Sequence, residues 1–281
     1  MLYRKVQGKT PIHANRMAAV LSKLFNIAER EGWRPDGSNP CRKLEKGREK
    51  PRDLVYNAGH LEALETGLKC LAAKGELDEA IADLIRFIAL SGLRRGEAVG
   101  LTWKDVDLGS GVMSFAEHKT DQDGTKHLPL NTHLREILRR RAEDRICKFV
   151  FPGRLMDRPF NGFGKIWERI REVSGLQGFN PHDLRHTFLT TCVELGHPIA
   201  IGDTLLGHSL GRVRDTYLSL RPDGVMAQAS QQTADWIAAA MSGANPKVGE
   251  KISPPIQNQA IETTVSIPTV ADLDLSGSWA I

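Results

Sequence analysis

Apolar residues recur at helical spacing through almost the whole chain, and only one stretch, Val106 to Leu130, changes character. There Val112-Met113-Ser114-Phe115-Ala116 and Lys126-His127-Leu128-Pro129-Leu130 flank a turn, Asp121-Gln122-Asp123-Gly124, which is a hairpin pattern. Everything else reads as helix punctuated by Gly and Pro. Met17, Val20, Leu21, Leu24, Phe25 and Ala28 place one amphipathic helix over 13–31, stopped by Gly32 and the turn that runs to Pro40. Further helices are expected over 57–73, 77–91, 95–101, 132–146, 160–174, 181–195, 198–206, 210–218 and 223–241. Such a chain is mainly α with one small antiparallel β-hairpin or sheet, an α+β class.

The 281 residues suffice for one large domain or two smaller ones with a buried core. A charged stretch over 41–53 reads as a linker and sets a boundary there. From Ser242 onward Pro, Ser, Thr, Gln and Asn dominate, so 242–281 is expected to be a disordered tail. No apolar run approaches the ~20 residues needed to span a bilayer. The basic N-terminus has no apolar stretch behind it, so no secretory signal is visible. Cys41, Cys70, Cys147 and Cys192 are scattered, with no Cys-x-x-Cys. A reducing cytoplasm is the simplest compartment for them, and no membrane partner is expected.

Net charge is +4, but it is unevenly placed. Residues 1–52 hold thirteen Lys/Arg against five Asp/Glu, 53–221 balance, and 222–281 are acidic. A second basic cluster is Arg139-Arg140-Arg141. Localised positive charge suits a polyanion, whose counterions it releases. A solvated basic face is the plainer explanation of either cluster taken alone.

Four short segments carry chemistry. Arg94 follows Ser91-Gly92-Leu93 at a helix end, with Glu97 three residues on and able to orient it. His182 and Arg185 share one face of a helix whose first turn holds Pro181. Helix N-terminal N–H groups there would also favour a phosphate. His208 lies in Leu-Gly-His-Ser, and Tyr217 follows it by nine residues, one of three tyrosines with Tyr3 and Tyr56. Guanidinium forks hold phosphate oxygens, and a tyrosine hydroxyl can attack phosphorus if its phenolate is stabilised. Taken singly, each residue has a plainer role: Arg94 as a helix cap, His182 and His208 as packed histidines, Tyr217 as a core residue. His182 and His186, four apart, also suggest a zinc pair. Asp183 stands where Glu would be the base, however, and Arg185 sits inside the motif, which disfavours a metal. No metal and no cofactor are expected.

Gly92-Leu93-Arg94-x-x-Glu97 through Asp107, then Pro181-His182-x-x-Arg185-His186, Leu206-Gly207-His208 and Tyr217 resemble, in order and context, the catalytic domain of the tyrosine recombinase (phage integrase) family. The likeness runs from about Asn57 to Leu220. It implies a catalytic domain over 53–221, preceded over 1–50 by a partial helical core-binding segment whose earlier helices are missing. The family pattern selects Arg94 over Arg95. It implies that Tyr217 attacks a DNA phosphate to give a 3′-phosphotyrosyl link, while Arg94 and Arg185 clamp the non-bridging oxygens. His182 handles the tyrosine proton and His208 adds a hydrogen bond to the phosphate. Lys119, before Thr120 on the hairpin, protonates the leaving 5′-oxygen, with Lys126 on the second strand as the competing candidate. The implied partners are double-stranded attachment sites and accessory DNA-bending proteins. The implied assembly is a monomer when free and a tetramer on DNA, with the 222–241 helix docking onto a neighbouring protomer. The implied function is site-specific recombination or integration of a phage or mobile element. A recombination-inactive DNA binder, a topoisomerase-like relaxing enzyme and a metal-dependent hydrolase are the alternatives.

Overall fold

A computed structural model describes residues 2–49, 54–115, 126–153, 158–207 and 224–246. The hairpin turn at 121–124, Lys119, His208, the expected 210–218 helix, Tyr217 and the tail from 247 lie outside the described residues. The chain divides into two compact units, Met1–Asp53 and Leu54–Ile281.

In the first unit α1 (Leu2–Gln7) packs on α2 (Pro11–Arg30). α1 has no apolar periodicity of its own and is not legible in the sequence. The segment read as a linker is pinned along α2 as far as residue 49. Buried Asn15 donates to the carbonyl of Gly47 at 2.7 Å and to Glu49 at 2.8 Å. Buried Glu29 pairs with Arg42 at 3.1 Å, and Asn39 donates to Asn26 at 2.7 Å. The buried face of α2 therefore runs through Ala14, Ala18 and Glu29, whereas Val20 and Leu24 of the expected apolar face are exposed.

The second unit is built on α3 (Ala58–Ala73), α4 (Glu79–Ser91), α8 (Pro181–Glu194) and α10 (Val225–Met241), which pack on one another. α6 (Thr132–Glu143), α7 (Phe163–Ser174) and α9 (Ile199–Leu206) close the flanks. Leu61, Leu64, Leu68, Leu84, Ile85, Ile88 and Phe188 fill the middle with no exposed surface. The family resemblance has α10 offering its apolar face to another protomer. In the single chain Met226, Ala229, Ala234, Ile237 and Ala240 are fully buried against α3, α4, α8 and α9 of the same unit. Small alanines on this helix let it approach α3 and α8 closely, and burying that face at home stabilises the unit.

The hairpin is one edge of a three-stranded antiparallel sheet, β1 (Val106–Asp107), β2 (Val112–Phe115) and β3 (Lys126–Pro129), in that order. Two-residue β1 is too short to show alternation. Met113 lies opposite Leu128, both buried, while Ser114 lies opposite His127 and bonds it at 2.8 Å on the outer face. Because side chains alternate along a strand, Lys126 shares the inward face with Leu128. That parity brings a lysine into the interior.

Candidate active site

α4 stops at Gly92, whose φ of 65° is the left-handed cap that glycine adopts freely. Leu93 is then buried, and the chain turns at Arg94 into α5 (Arg95–Gly100). Glu97 closes this turn: Oε2 accepts the Arg94 amide at 3.1 Å and Oε1 accepts Arg94 Nη1 at 2.9 Å. The Arg94 side chain keeps 34% of its surface exposed. Its neighbour Arg95 points elsewhere, with its guanidinium carbon 5.6 Å from the Phe163 ring centre.

α8 brings the second arginine. Arg185 is 2% exposed, and its Nη1 and Nη2 donate to the carbonyls of Gly92 and Leu206, each at 2.8 Å. One guanidinium thus joins the C-terminal ends of α4 and α9. Burial, then the nearby positive charge of Arg94, lower Arg185 to about 10, against the pull of Glu97 and Asp203.

His182 stands one turn before Arg185 at the surface, its ring edge-on to His186 with centres 4.6 Å apart. Partial burial, His186, Arg185 and Arg94 lower its proton affinity, opposed by Asp183. The imidazole is therefore neutral at neutral pH and able to accept a proton. The α8 N-terminus does not offer its amides to a phosphate as expected. Asn180 Oδ1 already accepts the His182 amide at 3.1 Å, and Asp183 accepts the Asn180 amide at 2.9 Å in a capping box. Among the described residues no group of three or more His, Cys, Asp and Glu is placed to hold a metal ion.

The structure also brings in Lys126. Its Nζ donates to Glu97 Oε2 at 3.3 Å and to the Leu206 carbonyl at 3.0 Å, and only 6% of its side chain is exposed. The Leu206 carbonyl is the one that Arg185 also uses. Gly207 makes room for this lysine, since a Cβ there would lie 2.4 Å from Lys126 Cε. Burial lowers Lys126 to about 8, with Glu97 opposing and Arg185 and Arg94 adding to the fall. Burial also works against ionised Glu97, yet Lys126 and Arg94 hold its carboxyl below the ordinary value.

Residues 63–222, more than half of the chain, match the phage integrase family. The chain belongs to the phage integrase family. Among its relatives, y4rE of Sinorhizobium fredii is 31% identical over 151 residues, 46% of this chain and 47% of that protein. Tyrosine recombinase XerA of Pyrococcus furiosus is 32% identical over 42% of this chain and 43% of its own length. The chain thus spans about half the length of these two relatives. Tyrosine recombinase XerD of Listeria monocytogenes is 26% identical over 74% of this chain and 72% of its own length. A lambda integrase dimer bound to a core site shares the fold, with a TM-score of 0.59 at 16% identity, over 77% of this chain and 79% of that one.

Within this integrase-family chain, Arg94, His182 and Arg185 come together from α4–α5 and α8, although 91 residues separate Arg94 from Arg185. Arg140 and Arg141, grouped in sequence with Arg139 as a polyanion site, do other work. Arg140 Nη2 lies 2.7 Å and Arg141 Nε 3.1 Å from fully buried Asp83. The 0% exposure of Asp83, invisible in sequence, shows that these cations answer a buried carboxylate.

Proposed function

We propose that this chain breaks and rejoins DNA as a site-specific tyrosine recombinase, with Tyr217 as nucleophile. The observation that supports it most is the pair Arg94 and Arg185, two guanidiniums from distant segments held near one another with Glu97 as the shared carboxylate. Like charges are brought together at a cost, and an anion between them offsets that cost. A phosphodiester with charge growing on its non-bridging oxygens is such an anion.

Tyr217 Oη attacks the phosphorus, the bond to the 5′-oxygen breaks, and a 3′-phosphotyrosyl ester forms. Neutral His182 takes the tyrosine proton, Lys119 gives a proton to the leaving 5′-oxygen, and His208 adds a hydrogen bond to the phosphate. A 5′-hydroxyl from another strand reverses these steps and releases the tyrosine. The other tyrosines suit the role poorly. Tyr56 is 1% exposed, packed 4.4 Å from the Phe179 ring, and burial raises its hydroxyl far above the ordinary value. Tyr3 donates to Asn15 in the first unit. Lys126 is a poor proton donor to DNA, because its ammonium faces Glu97 and a backbone carbonyl inside the unit. In this reading 53–221 carry the chemistry and the basic 1–50 segment grips backbone phosphates. Exchange between two duplexes calls for several copies on DNA, as in the lambda integrase tetramer bound to a Holliday junction.

The test is covalent trapping. A duplex library with a randomised central segment and a nick that lets the cleaved fragment diffuse away is incubated with the protein. Adducts are then recovered under denaturing conditions and sequenced. Wild-type protein should yield adducts enriched in one sequence, and Tyr217→Phe none. Binding without an adduct would instead identify a recombination-inactive DNA binder.

A further inference from the structure

Lys126 is a buried cation for which the strand-cleavage chemistry above has no use. Strand parity turns it inward, and its stem lies along Gly207, where any side chain would collide with it. Its ammonium meets three elements at once: Glu97 on α5, the Leu206 carbonyl at the end of α9, and the Phe115 ring on β2, 5.7 Å from Nζ. Arg94 and Arg185 are the other charges that face it.

We propose that Lys126 is a positioning residue for DNA cleavage, fixing Glu97 so that Arg94 is held in its clamping orientation and tethering the strand after the hairpin turn to the end of α9. The proposal rests on the recombinase reading and assigns no contact between Lys126 and DNA. Both oxygens of Glu97 are engaged: Oε1 accepts Arg94 Nη1, and Oε2 accepts the Arg94 amide and Lys126. With Lys126 uncharged, the carboxylate loses a buried counter-charge and the balance on it shifts toward Arg94. Arg94 would then be drawn toward Glu97 and away from a phosphate. The Leu206 carbonyl would keep only Arg185 among the described side-chain donors, and the chain leaving α9 enters Gly207 and then His208. One ammonium therefore bears on two parts of the phosphate site, and its charge on Glu97 and the charge-assisted strength of its bond to Leu206 last only while it is protonated. Burial and the two arginines bring its proton affinity close enough to physiological pH for that state to change.

The test compares wild type, Lys126→Arg, Lys126→Met and Glu97→Gln in the full chain. The substrate is a nicked duplex of the sequence selected by covalent trapping. Lys126→Met should slow adduct formation by about 10- to 100-fold, the scale of a misplaced catalytic group, with DNA binding changed less than twofold. Lys126→Arg should recover most of the rate, because a guanidinium keeps its charge. Relative to Lys126→Arg, the wild-type rate should fall as pH rises past about 8. A role in packing alone would not produce that pH dependence. Hydrogen exchange supplies a readout free of activity: the Arg94 amide, held by Glu97, should exchange faster in Lys126→Met and in Glu97→Gln than in wild type.

An active wild type with an unchanged Lys126→Met rate, or a wild-type to Lys126→Arg ratio flat with pH, overturns the proposal and leaves the recombinase reading standing. If wild type forms no adduct but Lys126→Met still loosens Arg94, the recombinase reading fails while the positioning geometry holds. If the arginine proves too bulky beside Gly207 and that variant does not fold, Glu97→Gln decides. A Glu97→Gln rate equal to wild type overturns the proposal.

Discussion

The second unit contains two arginine clusters that are built in opposite ways. Around Asp83, carboxylates answer cations closely: Arg86, Arg140 and Arg141 surround one fully buried aspartate, and Arg86 also reaches Glu65 at 2.9 Å and Glu79. Hydrogen bonds to Glu65 and Glu79 overcome burial and raise the proton affinity of Arg86, and the bond to Asp83 raises that of Arg140. Around Glu97, Arg94 and Lys126 pair with the carboxylate while Arg185 lies close by, and burial with mutual repulsion lowers Arg185 and Lys126 against the pull of Glu97 and Asp203. Arginine count does not tell a brace from a binding site. The direction in which the surroundings move the cations differs between the two, and the proposed function gives the cluster with lowered Arg185 and Lys126 the use for a phosphate.

The largest effects should separate the clusters by activity. Arg94→Ala and Arg185→Ala should each slow adduct formation by at least ~100-fold, the scale of losing one transition-state donor. Arg185→Ala should also destabilise the unit, by about 1–3 kcal/mol for each buried carbonyl left unpaired, which chemical denaturation would show. Arg95→Ala should change the rate less than about twofold, since its guanidinium lies over Phe163. A greater loss from Arg95→Ala than from Arg94→Ala would reverse the assignment.

Next in size is the brace. Asp83→Ala removes the buried partner that three cations share and should cost about 3 kcal/mol, the low end for a broken buried pair, because Arg86 keeps Glu65 and Glu79 and Arg141 keeps Asp144. At a temperature where it remains folded, its adduct rate should match wild type. Equal losses of rate and stability would erase the distinction between the clusters.

A smaller effect lies in pH. Lys126 binds its proton less tightly when folded, about 8 against an ordinary 10.5. Between those values the unfolded chain holds more protons, so the Lys126 contribution to stability rises with pH. Below about 8 both states are protonated and its cost to folding is fully present. Denaturation of wild type and Lys126→Met across pH 7–11 should show the difference shift in favour of wild type over that window. Cleavage should move the other way.

The smallest effect is in salt dependence. If the first unit grips phosphates, Lys43→Gln with Lys46→Gln should make the log–log slope of DNA binding shallower, by about one for each lysine that had neutralised a phosphate. Arg140→Gln should leave the slope unchanged, because that cation faces Asp83.

Helical periodicity, Gly stops and the motif order were enough to read nearly every described element of the second unit and to pick out Arg94, His182 and Arg185, which the fold brings near one another. These signals are local, and a local signal survives in a sequence. Charge balance is not local: Asp83 and Arg140 are 57 residues apart, so two arginines of a basic run read as a DNA site proved to pair with a buried aspartate. Lys126 lay between. Its pairing with Glu97 spans 29 residues, yet its place two before Leu128 on a strand already said that it pointed inward. α10 was legible as a helix, but an apolar face does not name what covers it.

Arg185 grips carbonyls that are 93 and 21 residues away from it along the chain. A ribosome delivers Gly92 early, but the clamp cannot close until Leu206 has emerged and α9 has docked. A growing or half-degraded polypeptide would therefore carry some of its reactive groups without the assembled phosphate site. For a protein proposed to cut chromosomes, completeness of folding then acts as a safety catch: fragments of it stay harmless to DNA.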